Sequence, residues 1–76
     1  MPIVAAAHFI SISVNGTLRN LARDRSSVAD LVRDMQLEGK RIAVEHNGAI
    51  VPRTRYAETP LRDGDKLEIV GAVGGG

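Results

Sequence analysis

Few side chains in this 76-residue sequence can do chemistry, and their types narrow what that chemistry is. There is no cysteine, hence no catalytic thiol, no thiolate metal ligand and no disulfide framework. His8 and His46 are far apart in sequence, and Glu45 points away from His46 on a strand, so no metal site is expected. Asp63 and Asp65 flank Gly64, a pattern in which acidic side chains bond turn amides rather than share a proton. Arg53 and Arg55 fit a solvated loop, and Asn47 and Gly48 fit turn geometry. None of these forms a catalytic constellation. What remains is Gly74-Gly75-Gly76, which follows directly on an apolar segment. Residues without Cβ can thread a narrow channel and place a terminal α-carboxylate inside another protein's active site. Such a carboxylate, with a pKa near about 3.5, is a poor electrophile at neutral pH and must be activated before anything attacks it.

A scaffold for such a tail must be small. With 43% hydrophobic and 25% charged residues, the chain reads as one globular domain over residues 1–73, with residues 1–7 as an extension and 74–76 as a flexible tail. A formal net charge of +1, with the signs interspersed, gives nucleic-acid binding no electrostatic support. Phe9 and Tyr56 are the only aromatic residues, too few for a base-stacking platform. The uncharged start is broken by Pro2, His8, Ser11, Ser13, Asn15 and Gly16, which excludes a membrane span there, and it lacks the basic start of a signal peptide. A cytoplasmic location is the expectation.

Phe9 to Val14 alternates, with Ile10, Ile12 and Val14 on one face, and predicts a half-buried strand. Asn15-Gly16 favours a tight hairpin into Thr17 to Arg23, with Leu18 and Leu21 inward and a bulge or early end. In Ser26-Ser27-Val28-Ala29-Asp30 a Ser hydroxyl can cap a helix start and Asp30 can close a capping box, and Val28, Leu31, Val32 and Met35 make the apolar stripe of a helix about three turns long, ended by Gly39. The period returns to two over Arg41 to Asn47, and Asn47-Gly48 turns the chain into Ala49 to Val51, stopped by Pro52. Arg53 to Pro60 predicts an irregular or one-turn helical crossing pinned by Tyr56 and Leu61. Asp63-Gly64-Asp65 turns into a last strand over Lys66 to Val73. One amphipathic helix suits one sheet face. The order predicts an α+β, ubiquitin-like β-grasp: a mixed four- to five-stranded sheet with the first and last strands side by side.

The run Asn47-Gly48-Ala49-Ile50-Val51-Pro52-Arg53, then Tyr56, Leu61-Arg62-Asp63-Gly64-Asp65, Glu68-Ile69-Val70 and Ala72-Val73-Gly74-Gly75-Gly76 resembles the ThiS family, the sulfur carriers of thiamine biosynthesis. The resemblance covers about Ile10 to Gly76, including the helix start at Ser27 to Val32. Tyr56 stands where the family often has Trp, and Met1 to Ala7 lies before its usual start.

This resemblance implies a protein co-substrate rather than an enzyme, with no bound cofactor. An ATP-dependent adenylyltransferase related to ubiquitin-activating enzymes would adenylate Gly76. Sulfur from a cysteine desulfurase would then leave a thiocarboxylate, which thiazole synthase would consume. Gly74 and Gly75 would lie in the partner's channel. Phe9, Ala43, Val70 and Ala72, on the sheet face away from the helix, form a candidate partner interface of the kind ubiquitin-like proteins use. Alternatives within the same fold are the small subunit of molybdopterin synthase, another sulfur carrier, or a covalent protein modifier. Ile50-Val51-Pro52-Arg53 favours the thiamine carrier over the other sulfur carriers, whereas a modifier would show itself as isopeptide conjugates.

Overall fold

Two Asn-Gly turns direct the chain. Asn15 and Gly16 have φ of 51° and 85°, and Asn47 and Gly48 have φ of 51° and 90°. Positive φ at both central residues matches the twist of two hairpin strands, and Asn and Gly reach it at least cost. In the computed structural model, which describes residues 8–71, these turns join β1 (Phe9–Val14) to β2 (Thr17–Ala22) and β3 (Ile42–His46) to β4 (Ala49–Val51). Helix α1 (Val28–Asp34) lies between the hairpins in sequence, and β5 (Lys66–Gly71) follows a 3-10 helix at Arg53–Glu58.

The five strands form one sheet in the order β2-β1-β5-β3-β4. β5 runs parallel to β1 and antiparallel to β3, so the first and last strands are neighbours in a mixed α+β sheet, the β-grasp topology. Ile10, Ile12, Val14, Val44, Leu67 and Ile69 of the sheet form one buried cluster with Val28, Leu31 and Val32 of the helix. Each fully buried aliphatic side chain contributes about 1.5–3 kcal/mol relative to exposure, which is why one short helix suffices to hold this sheet.

The helix starts as its sequence predicts. Ser27 Oγ accepts the Asp30 N–H at 3.1 Å, and the Ser27 N–H donates to Asp30 Oδ2 at 3.0 Å, closing the capping box. The Ser27 amide, outweighing the opposing effect of burial and helped by the Ser27 hydroxyl and Arg33, holds the Asp30 carboxyl below its ordinary value. Val28 N–H to Thr59 C=O and Leu61 N–H to Ser26 C=O tie this helix start to the segment before β5.

Three expectations are corrected. The helix is 7 residues long rather than about three turns, and Gly39 does not end it. Gln36 takes the left-handed position, with φ 60°; its N–H bonds the Arg33 carbonyl and the Leu37 N–H bonds the Val32 carbonyl. This is a Schellman termination, and Leu37 and Val32 supply its apolar contact. Gly39, with φ 76°, serves a later turn. The third correction concerns β2. Its register is unbroken, pairing Leu21 with Ile10 and Leu18 with Ser13, so period two places Leu18 on the outer face, 75% exposed. The strand ends early, at Ala22, without a bulge.

Candidate functional site

The Gly tail continues from β5, so the groups that fix β5 also fix where the tail begins. Ala72, Gly74, Gly75, Gly76, the boundary at 73 and the extension over residues 1–7 lie outside the described residues. On its β3 side, β5 pairs from His46↔Leu67 to Ile42↔Gly71. On its β1 side the ladder is short, with only Ser13↔Lys66 and Val14↔Leu67.

Side chains extend that short ladder at both ends. Before β5, the Ser11 N–H donates to Asp63 Oδ1 at 2.7 Å and the Gly64 N–H to the Ser11 carbonyl at 2.7 Å. Beyond the end of β1, the Ile69 N–H donates to Asn15 Oδ1 at 2.8 Å, and Asn15 Nδ2 donates to the Ile69 carbonyl at 2.9 Å. The carboxamide thus stands in for the next peptide unit of β1. On the β3 side, the Lys66 N–H donates to Asn47 Oδ1 at 2.8 Å, while the Lys66 carbonyl accepts the backbone N–H of Asn47 at 2.8 Å. Sequence reasoning gave Asn15 and Asn47 only turn geometry. Nothing in an Asn-Gly pair distinguishes an Asn that merely tolerates positive φ from one whose amide completes a sheet.

A second cluster holds the turn into β5. Asp65 Oδ2 accepts from His46 Nε2 at 2.6 Å and from the Arg62 N–H at 2.9 Å, and Asp65 Oδ1 accepts from Asn47 Nδ2 at 3.1 Å. Burial pushes the Asp65 carboxyl up, but these bonds outweigh it and bring the group below its ordinary value. His46 is half-buried and carries this bond. Asp65 bonds a turn amide as anticipated, whereas Asp63 bonds an amide of β1 instead. Arg53 reaches the Lys40 carbonyl and Arg55 pairs with Glu58, both at the exposed surface. Among the described residues, no group of three metal-ligating side chains converges. No helix among them is long and apolar enough to cross a membrane.

Of the candidate interface, Phe9, Ala43 and Val70 are described, and the structure does not bring all three together. Ala43 and Val70 are direct cross-strand partners, and Val70 is 58% exposed. Ile50, 63% exposed, joins them on this face by pairing with Glu45, which in turn faces Glu68. Phe9 does not join them. Ser13 is level with Lys66, so Phe9 lies four residues before that level and Val70 four after it. At about 3.3 Å per residue the two are about 26 Å apart along the strands. Pattern alone gave Phe9 the correct face but could not give its level, which depends on the parallel register.

The ThiS family model matches residues 12–76. The sulfur carrier protein ThiS of Bacillus subtilis is 40% identical over 65 residues, covering 86% of this chain and 98% of that protein. A thiazole synthase of Paramagnetospirillum magneticum is 39% identical over 67 residues, 88% of this chain, which spans only 20% of that protein's length. The crystal structure of ThiS from Geobacter metallireducens superimposes with a TM-score of 0.74 at 26% identity, over 88% of this chain and 100% of that one. The chain belongs to the ThiS family, the sulfur carrier proteins of thiamine biosynthesis.

Proposed function

We propose that the working group of this carrier is the terminal carboxylate of Gly76, cycling between carboxylate, acyl adenylate and thiocarboxylate. The family match carries this reading, because it runs through residue 76 and so takes in Gly74, Gly75 and Gly76. The carboxylate attacks the α-phosphorus of ATP in an adenylyltransferase partner, and pyrophosphate leaves. The terminal sulfur of a persulfide formed by a cysteine desulfurase attacks the acyl carbon and expels AMP, and a thiol then reduces the resulting acyl disulfide, releasing the thiocarboxylate and a disulfide. A thiocarboxylate is ionised and nucleophilic at neutral pH much as a thiolate is, so the chain needs no cysteine of its own.

Thiazole synthase is the proposed sulfur acceptor. Supporting this, a protein named thiazole synthase contains a stretch similar to this chain within a much longer sequence. The carrier itself holds no cofactor, and ATP is bound by the activating partner. We place the reaction in the cytoplasm, where ATP is available. Ordering an extended tail in a partner's channel costs about 1–2 kcal/mol per residue, so docking of the folded sheet must offset it. Ala43 and Val70 lie on the face proposed for that docking, with Gly74 and Gly75 in the channel.

Deleting Gly76 tests this. The truncated chain is expected to keep its fold, read by circular dichroism, and to lose carrier-dependent ATP–pyrophosphate exchange with the adenylyltransferase. Full exchange by the truncated chain would overturn the assignment of Gly76.

A further inference from the structure

We infer that Asn15 is a positioning residue for the tail: its carboxamide fixes β5 at Ile69, seven residues before Gly76, and so sets the point from which Gly76 reaches. Odd-numbered residues of β5 direct their backbone groups toward β1, as the Ser13 N–H bond to Asp65 and the Asn15 N–H bond to Leu67 show. β1 ends at Val14, so Ile69 would present an open N–H and C=O on that side. Asn15 fills both with one planar amide, at 2.8 Å and 2.9 Å. Beyond Ile69, Val70 turns its backbone groups back toward β3, where it pairs with Ala43.

The consequence for the tail is one of reach and entropy. The five residues after Gly71 span at most about 17 Å when extended. Their starting point therefore decides which points Gly76 can reach. If β5 frays back from Gly71, each released residue must be ordered again when the tail enters a partner's channel. That lowers productive binding about 5- to 30-fold per residue. The functional arm of this inference rests on the carrier reading; the structural arm does not.

Asn15→Gly removes the carboxamide while keeping a residue that adopts positive φ freely, so the hairpin turn survives. The free protein is expected to remain folded and unfold about 4–8 °C below wild type, with the Ile69 amide exchanging about 5- to 10-fold faster. With the adenylyltransferase at saturating ATP, KM for the carrier should rise about 5- to 30-fold at unchanged kcat, because ordering is an expense of binding rather than chemistry. Asn15→Asp supplies a second readout. Its carboxylate keeps the acceptor for the Ile69 N–H but faces the Ile69 carbonyl, and protonation restores a donor. Ile69 protection relative to wild type should therefore be poor at neutral pH and recover in acid, which a purely turn-forming residue would not show. Unchanged Ile69 exchange in Asn15→Gly would overturn the anchor, and unchanged KM despite lost protection would overturn its role in tail positioning. If the wild-type chain forms no adenylate, the carrier reading fails, while the exchange data still decide whether Asn15 holds β5.

Discussion

Gln36 is a residue at which glycine should be better than the native side chain. It sits at the C′ position of the helix with φ 60°, the left-handed region, and closes the termination through its own N–H and that of Leu37. For an L-residue with a Cβ that conformation costs about 1–2 kcal/mol. Glycine removes this strain but widens the unfolded ensemble, which returns about 0.4–1 kcal/mol. Gln36→Gly should therefore stabilise the domain by about 0.5–1 kcal/mol. For a chain of this size that raises the unfolding midpoint by about 2–8 °C. Thermal and urea unfolding of wild type, Gln36→Gly and Gln36→Ala provide the assay. The alanine variant keeps the strain and should gain nothing. A glycine variant no more stable than wild type would refute the Schellman termination as the helix stop.

The corrected register of β2 separates two leucines three residues apart. Leu21→Ala should cost about 2–5 kcal/mol because the site is 5% exposed, whereas Leu18→Ala, at 75% exposed, should change stability by under about 0.5 kcal/mol in urea unfolding. Comparable losses at both sites would restore the inward Leu18. Asp65 makes acid stability testable. Its folded pKa is below the unfolded value, so its contribution is present above about pH 4 and is lost as pH falls through the lower, folded value. Asp65→Asn should flatten the decline in stability between about pH 5 and pH 3, although Asp30 leaves part of the slope. Identical slopes for mutant and wild type would remove Asp65 from the acid transition.

Much of the fold is legible in the sequence because local chemistry and global packing agree over most of it. The alternation of Ile10, Ile12 and Val14, the Ser27–Asp30 box and both Asn-Gly turns each have a short-range cause, and each appears in the structure. The failures arise where the deciding interaction is distant or context-dependent. Gly39 is the better left-handed residue in isolation, yet packing of Leu37 against the core stops the helix at Gln36. Leu18 looks like a core residue until its register with Ser13 is known. The same limit governs the candidate site. Its terminal glycines can be read from composition and order, but the amides of Asn15 and Asn47 that hold β5 cannot. They depend on strands more than fifty residues and about twenty residues away, respectively. Phe9 likewise has its face written locally and its level set by the β1–β5 register.

The most direct test of the account is the intact mass of the chain after incubation with ATP, the adenylyltransferase and a cysteine desulfurase system, under non-alkylating conditions. The account predicts a species heavier by one oxygen-for-sulfur exchange, localised to the peptide ending in Gly76 and absent without ATP. An unmodified mass under those conditions, or a mass change located elsewhere in the chain, would contradict it.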